Sequence, residues 1–169
     1  MDRKDALALL QKYNHEPFHI LHALTVEGVM KWYANESGYG DEADYWGLVG
    51  LLHDVDFEQY PQEHCKKAPE LLAEIGATPE FIRSVCSHGF GICVDIKPEA
   101  QMEKVLFAAD ELTGLIGAAA IMRPSKSTKD MEVKSFAREV IEFIDECPST
   151  YHVAKNCSEI LEENGFERL

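Results

Sequence analysis

Apolar positions along the chain recur at steps of three and four, the spacing of one helix face. The first segment, DRKDALALLQKY, is amphipathic and opens on Asp2, whose carboxylate suits the free amides of a first helical turn. The second, EPFHILHALTVEGVMKWYANESG, carries Phe18, Leu21, His22, Val26, Val29 and Met30 at those steps, and Gly38 and Gly40 end it. EADYWGLVGLLHDVDF is shorter and more apolar. PQEHCKKAPELLAEIG begins with Pro61 near its first turn and stops at Gly76, and Pro69 inside it demands a kink or a restart. TPEFIRSVCSHGFG has Thr78 as its cap, Pro79 at the first helical position and Gly89 at the far end. KPEAQMEKVLFAADELTGLIGAAAIM is long and nearly all apolar after Lys104, until Pro124 breaks it. Its LIGAAAIM stretch reads as core. TKDMEVKSFAREVIEFIDE and STYHVAKNCSEILEENGF complete the series. Two-residue alternation is confined to GICVDI, too little for a sheet. The pattern predicts an all-α protein, a single compact helical bundle over residues 1–169 with no repeat and no linker long enough to divide it.

Composition narrows the class. A chain of 169 residues with 46% hydrophobic and 27% charged residues suits one domain with a real core, not a disordered chain. No uninterrupted apolar run nears the roughly 18 residues of a membrane span. The N-terminal segment has charges inside its apolar stretch, unlike a signal peptide. A cytoplasmic protein with no membrane partner is the expectation. The formal net charge is −14, and no basic block interrupts it. That charge repels a long polyanion, so no nucleic-acid polymer is expected as a partner. A small substrate, or one bridged by a cation, remains compatible. Oligomeric state leaves no signature. The five cysteines, Cys65, Cys86, Cys93, Cys147 and Cys157, form no Cys-x-x-Cys pair and read as reduced, mostly buried thiols. Cys65, beside His64, is the one candidate for a catalytic thiol.

The chemistry collects on histidines and aspartates. In LLHDVD, His53 and Asp54 stand side by side behind an apolar run. A His-Asp dipeptide alone says little, since the two side chains can simply bond each other near a helix end. Asp110 lies within LFAADELTGLI, where an unpaired carboxylate would be costly to bury and needs a metal or an arginine as partner. His22 lies on the apolar face of its own helix between Leu21 and Leu24. Three apolar helices therefore each present an imidazole or a carboxylate inward, which is how helical bundles assemble metal sites. Asp56 and Glu58 follow the dipeptide and suit a water-orienting role, the support of a ligand imidazole, or equally a solvated acidic loop. Lys66, Lys67, Arg123 and Lys126 are candidates for meeting a substrate phosphate, with plain surface placement the simpler account of any one of them. His15 and His19, spaced toward His22, suit the pocket edge, and His152 the surface.

The order His22, His53-Asp54, Asp110 resembles that of the HD-domain superfamily of metal-dependent phosphohydrolases. LHALTVEGVM, GLLHDVDFEQYPQEH, IRSVCSHG and AADELTGLIGAAAIMRPSK resemble successive blocks of its small stand-alone hydrolase-like members, over about residues 18–126. The C-terminal residues 127–169 match poorly. The resemblance implies a helical bundle of the HD-domain type and a mononuclear metal site of His22, His53, Asp54 and Asp110. It further implies hydrolysis of a small phosphate ester or nucleotide by metal-bound hydroxide; Asp54, and Asp56 two residues on, are the candidate catalytic residues. Two imidazoles and two carboxylates suit Mn²⁺, Fe²⁺, Co²⁺, Ni²⁺ or Mg²⁺. Some branches of the superfamily hold two metals. His64 and His88 fall in the matching interval, either as ligands of a second ion or as groups at the pocket mouth. With both as ligands, a di-iron oxygenase becomes the alternative. A non-catalytic nucleotide-binding module is a third reading.

Overall fold

The computed structural model describes residues 1–131. Cys147, His152 and Cys157, and the two C-terminal segments expected to be helical, lie outside the described residues, apart from the start of TKDMEVKSFAREVIEFIDE. Among the described residues the regular structure is helical: α1 (Arg3–Tyr13), α2 (Pro17–Glu36), α3 (Ala43–Leu52), α4 (Ala68–Ala73), α5 (Pro79–Cys86) and α6 (Gln101–Met122), with short 3₁₀ turns between. GICVDI supplies only one isolated bridge, Phe90 to Val94. The all-α expectation holds. By its internal contacts the chain divides into two units, residues 1–115 and 116–169, so α6 passes from one into the other.

Local signals set most of the boundaries. Asp2 accepts from the Asp5 amide at 2.8 Å and Thr78 from the Phe81 amide at 3.3 Å, satisfying donors that a helix start leaves free. Pro69 produces the restart, standing in the first turn of α4. Gly76 turns the chain at φ +69° just beyond that helix, where a Cβ would be strained.

The core of the first unit forms where α2 and α3 pack together with α1 and α5. Val26, Met30 and Ala34 of α2 meet Trp46, Val49 and Leu52 of α3, all of them buried. Two glycines let these helices approach. A Cβ on Gly50 would stand 3.0 Å from the Val26 carbonyl oxygen and 2.8 Å from Met30 Cγ, and one on Gly47 would run into the Lys31 side chain. Polar pins fix the neighbours. Buried Glu27 accepts both Arg3 contacts, at 2.6 and 2.8 Å, tying α1 to α2. Buried Glu103 accepts from the Glu99 and Ala100 amides at the start of α6 and from Arg83 and Ser84 of α5.

Two expected faces are corrected. Phe18 and Leu21 are 56% and 63% exposed, while Ala23, Val26, Glu27 and Met30 carry the buried side of α2. Val26 and Met30 are buried as expected, and Glu27 joins them because Arg3 gives its carboxylate a partner. On α6, Leu112, Leu115 and Ile121 are about half exposed, so LIGAAAIM does not lie wholly in the core. By length and composition α6 is also long and apolar enough to cross a bilayer, with 17% of its most apolar window buried; the same features occur in core helices of soluble proteins.

Candidate metal centre

Three helices deliver the first half of the site. His22 stands in α2, His53 caps the C-terminus of α3 with helical dihedrals, and Asp110 lies in α6. Asp54 follows His53 in the turn that leaves α3. The close contact of α3 with α2 at Gly50 brings His22 Nε2 to 3.1 Å from His53 Nε2. Asp110 Oδ1 lies 3.0 Å from His22 Nε2 and 3.3 Å from His53 Nε2. Asp54 Oδ2 completes the group, 3.3 Å from His53 Nε2 and 3.7 Å from His22 Nε2.

A second group uses the other oxygen of Asp54. His64, after the 3₁₀ turn Pro61–Glu63, and His88, in the 3₁₀ turn Ser87–Gly89, each place Nε2 3.5 Å from Asp54 Oδ1. Their Nε2 atoms are 3.1 Å apart. Asp54 thus faces two imidazoles with each oxygen, and all six candidate ligands named from the sequence converge. Both groups could hold a metal ion.

The remaining ring nitrogens fix the tautomers. His53 Nδ1 donates to the Gly50 carbonyl at 2.7 Å, and His88 Nδ1 to the Val85 carbonyl at 2.6 Å. His64 Nδ1 donates to Asp56 Oδ1 at 2.8 Å. A neutral ring that donates through Nδ1 carries its lone pair on Nε2, so these three rings present metal-binding nitrogens to the site. An ion with bonds of about 2.1 Å holds adjacent ligand atoms roughly 3.0–3.4 Å apart, and most separations in the first group fall there. The donor set and its spacing fit a metal.

Charge is finely placed. Burial opposes a proton on His53, but the Asp54 and Asp110 carboxylates outweigh it and hold its pKa well above the usual histidine value. Burial works against both carboxylates as well. His53, with His88, holds Asp54 far below the usual range, and His22 with His53 does the same for Asp110. Without an ion, the proton held on His53 sets a positive charge against the carboxylates; a cation would take its place.

The other candidates separate. Asp56 is wholly buried, and its second oxygen accepts from the Ala68 amide at 2.8 Å, so it stands behind His64 as a support for that imidazole. Glu58 accepts from the His15 and Glu16 amides, at the N-terminus of α2, and from His19 Nδ1 at 2.8 Å. Those bonds hold its pKa down to about 2, His19 first among them. His15 precedes α2 and is exposed, so it does not stack on that helix with His19 and His22. Lys67 engages Glu70 and lies over the Tyr60 ring, and Lys66 is exposed. Arg123 and Lys126 belong to the second unit. Burial raises the thiol pKa of Cys65, and that of Cys86 to about 12, so Cys65 keeps its proton and is unsuited to be the thiol that opens a catalytic cycle. The sequence reading missed the nearness of the Cys65 and Cys93 sulfurs, within 4.8 Å of each other, and the supporting carbonyls of Gly50 and Val85. For the carbonyls no side-chain signal existed.

Fold and site together define an all-α protein with a histidine–aspartate cluster able to hold metal. No protein-family model matches the chain, and neither a curated protein nor a solved structure matches it.

Proposed function

We propose that the chain is a metal-dependent phosphohydrolase acting on a small phosphate ester or nucleotide. The observation that supports this most is the division of Asp54, one oxygen toward His22 and His53 and the other toward His64 and His88. That arrangement suits two divalent ions sharing one carboxylate. The HD-domain resemblance of the same residues agrees with it. His22, His53, Asp54 and Asp110 would hold one ion, and Asp54, His64 and His88 the other. Bound divalent metal supplies a hydroxide at neutral pH and a Lewis acid for the phosphoryl oxygens. The chain's own part is to engage Nδ1 of His53, His88 and His64 with the Gly50, Val85 and Asp56 acceptors, so that Nε2 is the nitrogen turned to the site, and to leave the cluster partly open. Asp54 and Asp110 retain about a fifth of their side-chain exposure, while His53 has none.

The test is turnover of a panel of phosphate monoesters and nucleotides with Mn²⁺, Fe²⁺, Co²⁺, Ni²⁺ or Mg²⁺ added singly. Metal-dependent phosphate release that His53→Ala abolishes is the expected result. Failure across the panel, with nucleotide binding retained, would instead favour a non-catalytic binding module. The His64–His88 group also suits a di-iron oxygenase. Oxygen consumption dependent on two irons per chain, without phosphate release, would replace the hydrolase reading with that one.

A further inference from the structure

The cluster has neighbours that hydrolysis does not use. The sulfurs of Cys65 and Cys93 and a ring nitrogen of His64 lie within 4.8 Å of one another. Both sulfurs occupy the space above Gly89. A Cβ there would meet Cys93 Sγ at 2.4 Å and Cys65 Sγ at 2.6 Å, so any side chain at residue 89 would displace them. Cys65 also reaches the cluster, its sulfur 3.8 Å from His88 Nε2. The two thiols differ in access: Cys65 is buried and Cys93 is half-buried. Cys86 donates to the Cys65 carbonyl at 3.3 Å.

The group lacks the donors for a third metal site, because His64 commits Nδ1 to Asp56 and turns Nε2 toward His88 and Asp54. Two sulfurs alone are too few for a structural ion. What remains is chemistry between the sulfurs themselves.

We propose that Cys65 and Cys93 form a redox pair that closes to a disulfide when the protein meets hydrogen peroxide or an organic hydroperoxide. The half-buried Cys93 sulfur attacks the peroxide, the O–O bond breaks, and Cys93 becomes a sulfenic acid as water, or the alcohol, leaves. The Cys65 sulfur then attacks the Cys93 sulfur, the S–O bond breaks, and hydroxide departs with the Cys65 proton as water. Two thiols are oxidised and one peroxide is reduced. An S–S bond of about 2.05 Å requires the two segments to draw together. Each segment is joined to the second ligand group: Cys65 follows His64 directly, and Gly89, beneath both sulfurs, follows His88. Closure therefore shifts His64 and His88 against each other and weakens that half of the centre. This consequence rests on the two-ion reading above; the pairing does not.

The experiment uses the full chain treated with hydrogen peroxide, alkylated, digested and mapped by mass. A Cys65–Cys93 cross-linked peptide, reversed by dithiothreitol, is expected. It should be absent from Cys93→Ser and from Cys65→Ser and retained in Cys86→Ser. Stable sulfenic acid at Cys93 without a cross-link, or pairing with Cys86, Cys147 or Cys157, overturns the assignment. Manganese content of the reduced and oxidised chains tests the consequence. Two ions falling to one on oxidation supports it. Unchanged content on oxidation, or a reduced chain that holds a single ion, overturns the regulatory half while the cross-link is judged on its own.

Discussion

His64 and His88 turn their Nε2 atoms toward each other at 3.1 Å, although each ring already spends its Nδ1 proton on an acceptor. With Nδ1 donating on both rings, the two Nε2 atoms oppose lone pair to lone pair unless a proton or a metal ion lies between them. A metal ion beside Asp54 meets that need and the matching one at His22 and His53. Substitution should therefore separate the two groups. His88→Ala is expected to lose one ion per chain and keep the other. Asp54→Ala, which serves both groups, is expected to lose both. Metal analysis of protein dialysed against Mn²⁺ checks this, and a stoichiometric ion retained by Asp54→Ala would sink the shared-carboxylate arrangement.

Gly50 controls how close the first pair of histidines can stand. Its carbonyl orients His53, and its missing side chain lets α3 approach the Val26 backbone. Gly50→Ala places a methyl against a carbonyl oxygen that cannot move aside. The expected cost is about 1–3 kcal/mol of overpacking, together with weaker metal binding because His53 moves away from His22. Urea denaturation with metal removed reads the stability loss by itself. An unchanged midpoint would show that the helices have room to spare.

How much of this was legible follows from the range of each signal. Asp2, Thr78 and Pro69 act on amides within a few residues, so their roles stand in the sequence. His22, His53 and Asp110 stood out as polar groups among apolar neighbours, and the structure brings them together with Asp54. That Glu27 joins the buried side of α2 was not legible, because it depends on Arg3 reaching Glu27 from another helix. The same holds for His15, whose four-residue spacing from His19 loses its meaning once α2 begins at Pro17. Cys93 has no local mark at all. Its place beside Cys65 exists only once the turn around Gly89 has formed.

Asp56 offers a test of support as distinct from ligation. It is wholly buried, with one oxygen on His64 Nδ1 and the other on the Ala68 amide at the start of α4. Asp56→Ala leaves both donors without an acceptor, at a cost of about 1–3 kcal/mol. It also frees the tautomer of His64, and affinity for the second ion should fall roughly 10–100-fold. Asp56→Asn keeps one acceptor and should fall between. Titration with Mn²⁺ that leaves the tighter site intact and weakens the other is the expected pattern. Equal weakening of both sites would mean that Asp56 acts on the fold alone.

Glu58 carries the pH prediction. Its carboxylate closes the N-terminus of α2 through the His15 and Glu16 amides and holds His19, one turn before His22. Its pKa is lowered from 4.5 to about 2, by His19 first and the backbone amides after it. A depressed acid pKa stabilises the fold above the unfolded value, and that contribution drains away as pH falls through the folded one. Glu58→Gln keeps the shape and removes the charge. Wild type should therefore exceed Glu58→Gln in stability above pH 4.5, the gap should narrow between 4.5 and about 2, and it should vanish below. The urea midpoints of the two proteins across that range check the sign. A gap that widens on acidification would place the stabilising charge elsewhere, and the first turn of α2 would then owe its position to packing and not to Glu58.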